Sequence, residues 1–293
     1  MQSLSGNSPP SSETGGVFIG TEIFQQETPN RQLTRSRSPS WTQAWHSLRV
    51  TPCRPPGLVG VLLGVNISQL QTVIIIDYQN LHLVGAGLFE PFKQRHECLV
   101  HPLKYAEQVL LTRNHRLDNG ELSATLSKVL VYRGLPSSKH DPKLYARNQA
   151  QKSEWERDRK VKVTLRPLKY KYERVANGEK AIDEKGAPIV ISRSEKGIDV
   201  LCALALVREA QNPDIDLVIL ASQDTDLEPA LDEALILGKA LIETSSWHVP
   251  NRYRSKGIRA TYPHKIRNTK MDKNTFLLTL DSRDYDIPLV KNS

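Results

Sequence analysis

The run TVIIID at residues 72–77 constrains this chain more than any other stretch. Its β-branched apolar residues follow one another without polar alternation, and the run is too short for a helix. Such a segment suits a strand covered on both faces, and therefore a parallel sheet between layers of helices. SKVLVYRG (127–134), VKVTLRPL (161–168), DLVILAS (216–222) and KALIET (239–244) read as further strands. Helices fall between them. PLKYAEQVLLTRN (102–114) has helical apolar spacing, and DPKLYARNQAQKSEWERD (141–158) opens on Asp then Pro. IDVLCALALVREA (198–210) is strongly apolar, and DLEPALDEALILG (226–238) carries Pro229 in its first turn and stops at Gly238. Strands alternating with helices give a three-layer α/β domain, a central parallel sheet flanked by helices.

The flanks of this domain differ in composition. Residues 1–68 are rich in Ser, Pro, Gly and Thr and lack any helical or strand period, so they read as a disordered tail or a mis-annotated start, with initiation near Val65. The ordered domain is expected over 69–246. Within it, 169–197 has turn signals at Asn177-Gly178 and Lys185-Gly186 and reads as an inserted hairpin. Residues 247–293 read as an irregular extension with one strand-like run, NTFLLTL (274–280).

Composition removes several classes of function. The three cysteines are far apart and form no C-x-x-C pair, so neither a zinc ribbon nor a disulfide framework is supported. Cys202 reads as a small core residue. The eight histidines show no zinc-binding spacing. No apolar run is long enough to span a membrane, and a soluble, cytoplasmic protein is expected. GAG (85–87) lacks the remaining residues of a phosphate-binding loop. The net charge of +8 and pI of 9.3 fit a polyanionic partner, although proteins that bind no nucleic acid also reach such values.

The chemistry lies at the strand ends. Asp77 ends the first strand, Asp224 and Asp226 come directly after LVILAS, and Asp199 opens the helix that leads into that strand. In open parallel sheets, functional groups collect beyond the carboxyl ends of the strands. Four carboxylates together repel one another and call either for a hard divalent cation or for a lysine or arginine partner. With no His or Cys nearby, Mg²⁺ or Mn²⁺ is the natural choice. Asn80 adds a neutral group that can orient a phosphate or water. The plainer reading is that Asp226 only caps a helix and Asp77 only caps a strand.

IIIDYQNLHL, SEKGIDVLCALALVREA and LVILASQDTDLEPALDEA, in that order, resemble the NYN domain, a branch of the PIN-like ribonucleases. The intervening VYRGLPSSKHDPKLYARNQAQKSEWERDRKVKVTLRPLKY resembles its bacterial members. The resemblance spans roughly residues 71–245. It implies a PIN-like, Rossmann-like fold and a metal-dependent endoribonuclease. Asp77, Asp199, Asp224 and Asp226 would hold Mg²⁺ or Mn²⁺, with Asn80 beside them. Lys196, in KGID, would face the scissile phosphate or balance the carboxylates, and Glu195 would be a further acidic ligand. The family's Ser-Gly-Asp-Ser-Asp reads SQDTD here, with Gln223 in the glycine's place.

RNA is the expected partner. Arg147, Lys152 and Arg157 lie on the polar helix, Lys169 and Lys171 on the insertion, and Tyr145 among them could stack an unpaired base. Taken singly, each of these cations is equally a solvated surface residue. A homodimer is compatible with the sequence. The rival readings are a catalytically weak RNA-binding module that keeps the fold and a regulatory protein whose carboxylates are structural.

Overall fold

The computed structural model describes residues 69–251, 256–261 and 263–285. The Ser/Pro-rich segment 1–68 lies outside the described residues, as does Cys53. β1 (Leu70–Asp77) runs through the middle of a six-stranded sheet and is buried from Thr72 onward. Ile74 and Ile76 face one apolar core while Val73 and Ile75 face another. That two-sided burial is why β1 shows no polar alternation.

β2 (Ala124–Leu135) and then β3 (Val161–Pro167) extend the sheet from one side of β1. On the other side come β6 (Leu217–Ala221), β7 (Leu241–Trp247) and β8 (Asn268–Met271). Every pairing in this sheet is parallel. α1 (Tyr78–Phe89), α2 (Pro102–Asn114), α3 (Pro142–Trp155) and α6 (Lys273–Leu278) cover one face, and α4 (Ile198–Ala210) and α5 (Glu228–Leu237) the other. The fold is a three-layer, Rossmann-like α/β domain. β4 (Lys169–Tyr172) and β5 (Val190–Ser194) pair antiparallel in a separate two-stranded sheet before α4.

Two elements depart from the sequence reading. The first is α1, where Gly85 and Gly87 weaken the helical signal. Gly85 is there for packing: a Cβ would stand 2.6 Å from Trp247 Nε1 and 2.9 Å from Phe276. The same tryptophan donates through Nε1 to Leu81 O at 2.8 Å, which seats α1 on β7. The second is NTFLLTL, expected as a strand, which instead supplies most of α6. Asp272 caps it by accepting from Thr275 N and Thr275 Oγ1, and among its apolar residues Phe276 is buried while Leu277 and Leu278 stay exposed. The strand is the polar NTKM just before it. Asn268 and Met271 pair with Thr244 and Trp247.

Cys98 and Cys202 are buried free thiols. Among the described residues, no helix is long and apolar enough to cross a membrane.

Candidate metal centre

β1 and β6 are neighbours, yet the strands next to them in the chain lie on opposite sides. The carboxyl ends of such a pair border a crevice at which ligands collect. Asp77 is the last residue of β1 and also the N-cap of α1. Its Oδ1 accepts from Asn80 N at 3.3 Å and its Oδ2 from Ser222 Oγ at 3.2 Å. Asp224 lies just past β6 and caps the short turn Thr225–Leu227, accepting from Asp226 N at 3.1 Å. Asp199 is in the first turn of α4. Gly197 makes that entry feasible. Its φ is +76°, and a Cβ there would come within 3.2 Å of the Arg166 guanidinium.

One carboxylate oxygen from each of Asp77, Asp199 and Asp224 lies within 4.8 Å of the others. Asp77 is only 3% exposed, and Asp224 is half-buried. Burial pushes the Asp77 carboxyl up to about 7, and repulsion from Asp199 and Glu195 works in the same direction, against the bonds from Asn80 and Ser222. Burial also raises Asp199, and Asp224 and Asp226 add to it. None of the ion pairs among the described residues involves the three aspartates. An all-oxygen donor set that is crowded, partly desolvated and without a cationic partner fits a hard divalent cation.

The other predicted residues fall into two groups around this triad. Asp226 is exposed and acts on Asp199 through repulsion without joining the closest set. Lys196 is exposed, and its pull on Asp199 is weaker than that of burial and of the neighbouring carboxylates. Asn80 Oδ1 accepts from Gln223 N at 2.8 Å, so it holds the loop after β6 against α1. Glu195 is raised by burial and accepts from Gly134 N at 2.6 Å. In the amide orientation that satisfies both groups, Gln79 also donates to it, at 2.6 and 3.0 Å.

Most of the residues expected to hold RNA have partners within the protein. Lys152 Nζ donates to Glu156 at 3.0 Å and to Val163 O at 2.5 Å. Arg157 pairs with Glu154, and Tyr145 OH accepts from Gln149. Arg147 borders a small cleft that also touches Asp281 and Asp284. Lys169 and Lys171 are exposed on β4. The tyrosines between and after them turn inward: Tyr170 donates to Asp141 at 2.8 Å, and Tyr172 meets His140 at 3.0 Å.

Two residues of the site carry roles that their sequence context did not disclose. Ser222, 1% exposed, donates to Asp77 while its Oγ accepts from Asp224 N at 3.2 Å, so one hydroxyl sets both ligands. Gln223 spans three segments. Its Oε1 accepts from Trp247 N at 3.0 Å and its Nε2 donates to Lys256 O at 3.2 Å, while its backbone N reaches Asn80.

No family model matches this chain, and no curated protein does. Among solved structures, a protein of unknown function from Vibrio parahaemolyticus is similar at 16% identity, over 62% of this chain and 84% of that one, with a TM-score of 0.34.

Proposed function

We propose that the protein is a metal-dependent endoribonuclease of the PIN-like type that hydrolyses RNA phosphodiester bonds at the Asp77, Asp199 and Asp224 cluster. One observation carries this reading. Three carboxylates with no cationic partner among the described residues converge at the carboxyl ends of strands flanking the switch in sheet order. The NYN-like motifs supply those same residues.

Mg²⁺ or Mn²⁺, when bound, supplies a Lewis acid for water activation and for the charge on the phosphate oxygens. The chain does the rest. Asp77, Asp199 and Asp224 hold the cation, with Asp226 at the rim. Ser222 and Asn80 fix the loop after β6 and so set the distance between Asp77 and Asp224. Lys196 presents a positive charge to the phosphate. A water oxygen bonds to phosphorus, the bond to the leaving ribose oxygen breaks, and that oxygen ends protonated. Lys169 and Lys171 offer exposed charge on β4 to the RNA backbone.

The test uses the full chain, labelled RNA and Mn²⁺, with a chelator arm and Asp224→Asn. Cleavage should vanish in chelator and fall at least about a hundredfold in the variant, or ~2.7 kcal/mol of transition-state stabilisation. RNA affinity should hold or improve, since one negative charge has gone. A variant that cleaves as fast as the parent in a chelator-sensitive assay ends the reading. Parent protein that binds RNA and never cleaves it would instead be an RNA-binding module on this fold.

A further inference from the structure

Two open grooves meet at residues 256–259, where Lys256 O accepts from the side chain of Gln223, the neighbour of Asp224. One, of about 1020 Å³, runs between α1 and the segment at 256–259 and is lined by Gln223 and Thr225, the residues on either side of Asp224. The other, of about 800 Å³, continues along the connection from β7 to β8 as far as Lys265 and Lys270. They share the stretch from Lys256 to Arg259, so they form one path.

The charge along this path is one-sided. Arg95, Lys256, Arg259, Lys265 and Lys270 line it and are exposed. Among the described residues Glu228 is the only carboxylate in either lining, and its Oε1 accepts from Arg259 N at 3.1 Å. Arg95, Arg259, Lys265 and Lys270 form no ion pair among the described residues. This is the reverse of the last turn of α3 and the residues just after it, where Lys152 and Arg157 are answered by Glu156 and Glu154. Four such cations in a trough, Arg95, Arg259, Lys265 and Lys270, suit a chain of evenly spaced negative charges. Apolar side chains such as Leu83, Val84 and Leu88 line the first groove, where an unpaired base could lie.

We propose that these joined grooves are a binding track for single-stranded nucleic acid that leads the phosphate backbone to the carboxylate cluster. The place of the first groove next to the loop that carries Asp224 favours a nucleic acid over an acidic protein. The proposal rests on the nuclease reading for the direction of travel. Gln223 is the positioning residue. Its side chain ties the backbone at Lys256 to the end of β7 and so keeps the track beside Asp224.

The test is RNA affinity, measured on the full chain in chelator with a labelled single-stranded oligouridylate. Arg259→Gln/Lys265→Gln/Lys270→Gln removes three track charges. Lys160→Gln/Lys162→Gln/Lys239→Gln removes three charges from exposed positions outside both grooves. The track variant should bind about tenfold or more weakly, and its dependence of log affinity on log salt should flatten by roughly 2, at ~0.7 for each lost phosphate contact. The comparison variant should stay within about twofold of the parent. If thermal melting shows that the triple variant has unfolded, Lys265→Gln/Lys270→Gln should still weaken binding several-fold. Equal losses in both triple variants, or a track variant that binds like the parent, would overturn the proposal. So would polyglutamate that competes as well as RNA, which would assign the track to an acidic protein. The two readings fail separately. Loss of binding in the track variant with no cleavage by the parent removes the nuclease and leaves the track, and cleavage by a track variant of undiminished affinity does the opposite.

Discussion

The sheet holds a buried carboxylate at each end, and the two are treated in opposite ways. Near its amino end, Glu243 on β7 is 6% exposed and receives Arg113 through bonds of 2.9 to 3.1 Å from Nε and Nη2. Arg113 in turn donates to Leu122 O at 3.1 Å, tying α2 to the approach to β2. At the carboxyl end, Asp77 is equally buried and has a backbone amide and a serine hydroxyl but, among the described residues, no ion-paired cation. A carboxylate that braces a fold is given its counter-charge by the fold. One left waiting beside two others is arranged for a charge that arrives from outside.

The largest effect should come from breaking the paired end. Arg113→Met strands Glu243 in the interior and should cost about 3–5 kcal/mol of stability in urea unfolding. Arg113→Met/Glu243→Leu should recover more than half of that, because no charge is then left unpaired. A loss below about 1 kcal/mol in the single variant would mean that the pair braces nothing.

The unpaired end should show the opposite sign. Folding holds the Asp77 proton up to about pH 7, whereas the unfolded chain releases it near 3.8. The folded state therefore binds more protons across that window, and metal-free stability falls as pH rises through it. Asp77→Asn should abolish this fall, so that it gains on the parent above pH 7, by at most about 4 kcal/mol, and not below pH 4. Unfolding in chelator at several pH values would expose any error. A variant less stable than the parent at pH 8 would make Asp77 a brace like Glu243.

Mn²⁺ should then narrow the contrast by supplying the missing charge. At a hundred times its dissociation constant it should stabilise the parent by about 2.7 kcal/mol. The rise should be absent from Asp77→Asn/Asp224→Asn. An equal rise in both proteins would place the ion elsewhere.

The smallest expected effect is that of Ser222→Ala, at about 1 kcal/mol of metal-free stability. Its sharper readout is Mn²⁺ affinity, which should weaken at least tenfold if the hydroxyl aims both ligands.

Much of this architecture could be read from the chain before any coordinates. β1 and β6 were legible because strands buried on both faces have no choice but to be apolar throughout. Asp77 and Asp224 were legible because each carboxylate closely follows an apolar strand run, although each also caps the turn that follows it. α1 was not, since Gly85 answers to the ring of Trp247, which lies far away in sequence. α6 and β8 exchanged places with expectation because a capping aspartate and one buried phenylalanine outweighed a short apolar run. The double role of Ser222 also needed β1 and β6 side by side. Charge without partners was harder still to see. Composition alone does not separate Lys152 and Arg157, which Glu156 and Glu154 answer, from Arg259, Lys265 and Lys270, which form no ion pair among the described residues.

The sheet also limits its own growth. At one border stands β3, with Lys162 and Arg166 outward and Pro167, which has no amide proton to give, at its end. At the other stands β8, four residues long and carrying an exposed Lys270. Short, charged or proline-bearing borders make poor templates for a further strand. Among the described residues, neither border of the six-stranded sheet is an inviting margin along which another copy could add a strand.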